Sequence, residues 1–98
     1  MDEVKEIARM LKVLANENRL LILCALIGQP MTPAGIAKHV PGITQSALSQ
    51  HLTLLKAHNY LDSKKSGQNI IYSVADKRVE NTINVLRKYY CRSQEKKP

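Results

Sequence analysis

Pro41-Gly42 separates two short stretches of helical periodicity, and few folds accommodate that arrangement. Before the break, Thr32 is a helix N-cap, Pro33 suits the first helical position, and Ile36 and Val40 face inward. After it, Thr44 caps a second helix in which Leu48, Leu52 and Leu55 recur at i, i+4 and i+7, a stripe that must be covered. A short helix, a tight turn with glycine and a longer helix with one polar face make a helix-turn-helix, the first element bracing the second. Gly35 weakens the brace unless it permits close packing.

The polar face of the second helix, within residues 43–61, carries Gln45, Ser46, Ser49 and Gln50 beside the capping Thr44. These hydroxyl and amide side chains reach base edges and phosphates once a helix N-terminus lies in a DNA major groove. A merely solvated face has the same composition, so the flanking residues matter. Tyr60-Leu61-Asp62-Ser63-Lys64-Lys65 and Ile70-Ile71-Tyr72-Ser73-Val74 enclose Ser66-Gly67-Gln68-Asn69. Ile70, Tyr72 and Val74 alternate onto one face, and Gly67 supplies the positive φ of a hairpin turn, which predicts a two-stranded wing. Lys64, Lys65, Gln68 and Asn69 crowd around its tip, a pattern suited to phosphates or the minor groove.

With 98 residues the chain is read as one domain whose small core makes a second subunit the expectation. Fifteen Lys and Arg against eight Asp and Glu give a formal charge of +7, as in nucleic-acid binders. An anionic membrane surface suits that charge too. No apolar run is long enough to span a bilayer and no signal peptide is read, so the expected location is the cytoplasm, without a membrane partner.

Asp2, Glu3 and Glu6 begin a helix with Val4, Ile7, Ala8, Leu11 and Leu14 at helical spacing. Asn16 caps a second helix, apolar nearly all round through Leu20, Leu21, Ile22, Leu23, Leu26 and Ile27, which predicts the buried spine; Gly28-Gln29-Pro30 ends it. Asp76 caps a last helix with an inward stripe of Val79, Ile83, Leu86 and Tyr90, and Lys96-Lys97-Pro98 is read as a frayed tail. The expected architecture is thus mainly α: about five helices plus a two-stranded wing. The helix-turn-helix occupies about 32–58, the wing about 60–74, and the terminal helices, about 2–14 and 77–91, are left to form a homodimer. Two-fold symmetry predicts a pseudo-palindromic operator in double-stranded DNA, with half-sites about one helical turn apart.

The stretches Leu14-Ala15-Asn16-Glu17-Asn18-Arg19-Leu20-Leu21-Ile22-Leu23 and Gln45-Ser46-Ala47-Leu48-Ser49-Gln50-His51-Leu52-Thr53-Leu54-Leu55 resemble the ArsR, or SmtB/ArsR, family of winged-helix repressors. The likeness extends over nearly the whole chain. It implies a homodimer that represses transcription when ligand-free and leaves its operator when an inducer binds or a thiol pair is modified. His51 matches the family's recognition-helix motif and is read as structural or phosphate-contacting. Residues 32–40 contain no Cys and residues 76–91 no His, so the thiolate and zinc ligand sets of metal-sensing relatives are missing. His51 and His58, seven residues apart, make only a two-ligand site, and no metal or cofactor is expected.

Cys24 and Cys91 are the two thiols. Cys24 falls among Leu20, Leu23 and Ile27 on the helical wheel and reads as a small core hydrophobe. Cys91 lies off the Val79, Ile83, Leu86 stripe, on a flank with Asn84 and Arg87 where partial exposure is expected. One cysteine in the second helix and one at the end of the last is also the pattern of the sulfide- and oxidant-responsive subgroup of the family, the BigR, SqrR and HlyU type. That resemblance implies that the two thiols approach within one protomer and are bridged by a disulfide or polysulfide, which weakens operator binding. Two cysteines in a cytosolic chain are also commonly unpaired and reduced. Without a C-x-x-C or a nucleophile, base and orienting set, an enzyme is not expected. The alternatives are a metal-responsive repressor of this family and a winged-helix protein-interaction module that does not bind DNA.

Overall fold

Asn16, Thr32, Thr44 and Asp76 each end an extended or turning segment and begin a helix. In the computed structural model, which describes residues 2–90, their side-chain oxygens accept from the backbone N–H groups of Arg19, Gly35, Ala47 and Arg78 at 3.1, 3.2, 3.0 and 2.7 Å. Such caps satisfy donors that a helix start leaves open, each contributing about 1 kcal/mol. The order is α1 (Asp2–Leu14), α2 (Glu17–Gly28), α3 (Pro33–Ala37), α4 (Gln45–Ala57), β1 (Leu61–Ser66), β2 (Asn69–Val74) and α5 (Lys77–Tyr90). This is a winged helix-turn-helix, mainly helical, with one antiparallel hairpin. Expectations for Cys91, the tail and the side chain of Tyr90 lie outside the described residues.

Helix α2 is the spine. Ile22, Leu23 and Leu26 are buried, and α1, α3, β2 and α5 all contact this helix. The brace helix is shorter than its periodicity suggests, because it stops at Ala37 while Val40 remains buried. His39 and Val40 donate instead to the carbonyls of Ile36 and Ala37, at 2.9 and 3.2 Å, in a tightened i to i−3 turn. Pro41 causes this, since it disfavours α geometry in the residue before it and has no N–H. Gly42 then turns the chain at φ 74°. Gly35 mediates no close approach between helices: a Cβ there would meet only Met31 and Thr32 at ordinary contact distance, 3.5 Å.

Leu48, Leu52 and Leu55 of α4 are buried as their spacing requires, and each contributes roughly 1.5–3 kcal/mol to holding the helix on the body. The helix ends before residue 61. Asn59 adopts φ 64°, Tyr60 N–H bonds the Leu55 carbonyl at 3.0 Å and Asn59 N–H bonds that of Lys56 at 2.9 Å. These two bonds form a Schellman cap.

The hairpin pairs Leu61 with Val74, Ser63 with Tyr72 and Lys65 with Ile70 on one face. Ile70, Tyr72 and Val74 do share that face, but Ile70 is 44% exposed because the hairpin projects beyond the body. On its other edge β2 exchanges two hydrogen bonds between Tyr72 and Met31, at 2.8 and 3.0 Å, which fixes the wing to the chain entering α3.

The terminal helices are not left without an intrachain groove. Met10, Val13 and Leu14 of α1 and Val79 and Ile83 of α5 enter the same core, because α2 is apolar on enough sides to hold both. Arg78 also joins them, reaching Asp76 at 2.9 Å and Glu6 at 3.1 Å; its hydrogen bond holds the Asp76 carboxyl below the usual range. What stays uncovered is Val4, Ile7 and Leu11 on α1 and Val85, Leu86 and Tyr89 on α5. Leu86, read from the sequence as inward, is exposed.

Candidate nucleic-acid interface

Helix α4 turns its buried stripe to the core, and the same geometry sets Thr44, Gln45, Ser46, Ser49 and Gln50 in solvent. Gln45, Ser46 and Thr44 lie at the helix N-terminus, where open N–H groups and the helix dipole favour a phosphate. Thr44 Oγ1 already accepts from Ala47, so its hydroxyl proton is what it can offer a phosphate oxygen. No Asp or Glu occurs between Glu17 and Asp62. A whole helix-turn-helix without a carboxylate presents no repulsion to a polyanion, a signal that reading residue by residue passes over.

His51 sits differently from its neighbours. It is half-buried, with Nδ1 standing 3.5 Å from Nη1 of Arg19, whose Nε donates to the Val13 carbonyl at 2.6 Å. Since a guanidinium only donates, Nδ1 accepts and the proton of the neutral ring resides on Nε2. Burial, and then the Arg19 charge, lower the His51 pKa. Arg19 therefore joins the end of α1 to the recognition helix, a role that sequence reasoning misses. Its position in the first turn of α2, where the helix dipole disfavours a cation, is the one signal that could have found it.

The wing carries Lys64, Lys65, Gln68 and Asn69, all exposed, around a Gly67-Gln68 turn in which Gly67 takes φ 64°. The lysines do not point the same way. Lys65 shares the face of Leu61 and Ser63, whereas Lys64 shares the other with Asp62, an acid two residues away that sequence reasoning leaves out of account. Lys56 Nζ bonds Ser63 Oγ at 2.6 Å, so the last turn of α4 holds the base of the wing. Helix and wing thus form one polar surface, connected by short contacts rather than by a free linker.

Cys24 is half-buried rather than enclosed. It packs against the core on one side and on the other lines an open cleft of about 520 Å³ with Leu21, Met31, His39 and Arg87. The expectation of an ordinary core side chain is corrected to that extent. At 3.6 residues per turn, Arg87 lies on one flank of the buried Val79 and Ile83, while Val85, Leu86 and Tyr89 lie on the other. Arg87 precedes Cys91 by four residues, and Cys91 itself lies outside the described residues. No group of three or more His, Cys, Asp or Glu among the described residues is placed to hold a metal ion. No helix of the described residues is long and apolar enough to cross a membrane.

A braced recognition helix with an acid-free polar face, followed by a basic hairpin, defines a winged-helix DNA-binding protein. Residues 16–63 match the family described as "Bacterial regulatory protein, arsR family". The chain is similar to the HTH-type transcriptional regulator YgaV of Escherichia coli, with 38% identity over 89% of this chain and 88% of that protein. It is 33% identical to the transcriptional activator HlyU of Vibrio cholerae over 88% of this chain and 79% of that protein. A solved structure of that HlyU superposes with a TM-score of 0.85 at 31% identity, covering 91% of this chain and 96% of the other. The chain belongs to the ArsR family and is a DNA-binding transcriptional regulator; these relatives are regulators, not enzymes.

Proposed function

We propose that the protein is a homodimeric, sequence-specific repressor that binds a pseudo-palindromic operator through α4 and the wing and is released by modification of Cys24 and Cys91. The observation that carries the DNA-binding part is the exposed, acid-free face of α4 joined to the basic wing. Gln45, Ser46, Ser49 and Gln50 read base edges, Thr44 and His51 contact or orient toward phosphate, and of Lys64, Lys65, Gln68 and Asn69 those on the wing face turned to the duplex follow the adjacent backbone or minor groove. The dimer forms through the exposed apolar side chains of α1 and α5, which sets two recognition helices on successive turns of the duplex. Such a protein works beside the chromosome, in the cytoplasm.

The thiol switch is supported by the open side of Cys24 and by Arg87, four residues before Cys91, on the same cleft. Bridging the thiols would fix α5 to α2, and the dimer seam on α5 would carry that constraint to the spacing of the recognition helices. HlyU is described as an activator, which favours a second reading in which the same binding activates a promoter or displaces another repressor. A mobility-shift assay on the DNA upstream of the chain's own gene, with reductant, peroxide and polysulfide, paired with a promoter reporter, tests both. Release on oxidation, abolished in a Cys24→Ser, Cys91→Ser protein, is expected, with reporter output rising on release. Persistent release in the double variant removes the cysteines as sensors, and falling output selects the activator.

A further inference from the structure

Arg19 sits in the first turn of α2, where the helix dipole repels a cation, and its side chain reaches back to the end of α1, where the dipole attracts one. Its Nε donates to the Val13 carbonyl at 2.6 Å, one of the groups a helix end leaves open, and Nη1 stands 3.5 Å from Nδ1 of His51. The rigid guanidinium fork thus spans α1 and α4 with two nitrogens, which a lysine could not do. His51 follows Gln50 on the boundary between the buried stripe and the exposed polar face of α4. When a recognition helix lies in the major groove, its outward face meets base edges and its flanks run beside the sugar-phosphate walls. The other ring nitrogen, Nε2, bonds no described residue, and among the described residues no buried side-chain nitrogen or oxygen lacks a partner, so Nε2 opens to solvent.

We propose that Arg19 is a positioning residue for DNA binding: it holds the His51 ring as the tautomer whose Nε2–H is delivered, uncharged, to a phosphate oxygen of the duplex. The proposal rests on the DNA-binding reading of α4 and adds a residue that lies outside both the helix-turn-helix and the wing. A second proton on the ring would occupy Nδ1 and set two donors face to face, so the contact is made by neutral imidazole. Burial, and then the Arg19 charge, act in the same direction, and no carboxylate among the described residues opposes them at His51. Glu17, two residues from Arg19, is exposed. A neutral donor releases no counterion, unlike a lysine on a phosphate, and its contact survives across the range near pH 6.5 in which a free imidazole changes charge.

The test uses the full chain and two duplexes, the DNA upstream of its own gene and a random sequence. In the parent protein at neutral pH, nitrogen NMR of the imidazoles, assigned against His51→Phe, should show Nε2 of His51 protonated and Nδ1 bare, both free and on DNA. His51→Phe should weaken both duplexes roughly tenfold with the salt slope unchanged. Arg19→Met leaves Nδ1 without its partner and should weaken binding at about pH 8, then regain affinity as pH falls toward about 6, because the released ring takes up a proton against the phosphate. Its salt slope at the lower pH should steepen by about 0.9 per protomer bound. Adding His51→Phe to Arg19→Met should abolish the regain. A ring protonated on Nδ1, or charged once DNA is bound, overturns the proposal whatever the variants do. So does a His51→Phe protein that binds as the parent does, or an Arg19→Met protein whose affinity runs parallel to the parent's across pH, which would leave Arg19 a structural tie alone. The DNA-binding reading fails separately, in a parent protein that holds neither duplex, and the proposal falls with it.

Discussion

Gln50 stands exposed on the helix face opposite Leu52, and its side-chain amide makes no hydrogen bond to another described residue, so it can meet a base edge. Truncation to Ala should leave the thermal midpoint unchanged and cost about 1–3 kcal/mol at one base position, read by binding to a library of single-base operator variants. Uniform weakening across the library would make it a phosphate contact. His51 gives a pH dependence. Its folded pKa lies below the ordinary value near 6.5, so the unfolded chain binds more protons as pH falls. Its contribution to stability is present above pH 6.5 and is lost as pH falls toward the depressed folded value. Urea midpoints measured from pH 8 to pH 5 should decline as pH drops through that region, and less so in His51→Gln; identical profiles would show that burial of the ring, with the Arg19 charge beside it, does not hold the His51 pKa down. The caps at Asn16, Thr32, Thr44 and Asp76 are legible in the sequence because each is a contact over three residues or fewer. Arg19 with His51 is not, since its partner lies 32 residues away and only the fold brings them together.

At the scale of elements, period and punctuation carry most of the information. The α4 stripe, the α2 spine and the Gly67 turn all follow from spacing, and the structure has each of them. Element ends are harder, because they are decided by hydrogen bonds the pattern does not display. Thus α3 stops at Ala37 before Pro41, and Asn59 rather than a glycine takes the left-handed position after α4. The Met31 bridge to β2 is a tertiary pairing and leaves no local trace. Strand alternation, by contrast, does dictate that Lys64 and Lys65 part to opposite faces of the wing. If only one face meets the duplex, one lysine contributes and the other does not. Removing a single phosphate contact should reduce the magnitude of the salt slope by about 0.9. We expect Lys65→Ala and Lys64→Ala to differ in slope, with random and operator DNA weakened alike by whichever makes the contact. Equal slopes, unchanged from the parent protein, would remove the wing from the interface.

The whole molecule shows why a second copy is expected. Its core is built around α2, and α1 and α5 close that core with one side while Val4, Ile7, Leu11, Val85, Leu86 and Tyr89 remain outside. Spacing alone places Val79, Ile83 and Leu86 on one inward stripe; packing against α2 encloses the first two and leaves Leu86 in solvent, because the stripe is wider than the groove it fills. The distinction makes a discriminating experiment. Ile83 is 1% exposed, so Ile83→Asp buries an unpaired carboxylate in the protomer's own core and should unfold the chain. Ile7 is 49% exposed, so Ile7→Asp leaves each protomer's core intact and acts only where two copies meet. Burial of an isoleucine contributes about 1.5–3 kcal/mol, and forfeiting that at a seam that repeats it by symmetry corresponds to roughly a hundredfold or greater rise in dimer Kd. Sedimentation velocity across a concentration series should therefore show Ile7→Asp shifted toward monomer with its helical circular dichroism retained. Operator affinity should fall with it, because one protomer reaches only one half-site. A parent protein that sediments as a monomer at micromolar concentration, or an Ile7→Asp protein that dimerises and binds its operator as the parent does, would place the two-fold seam elsewhere and break the proposed route from the thiols to the DNA.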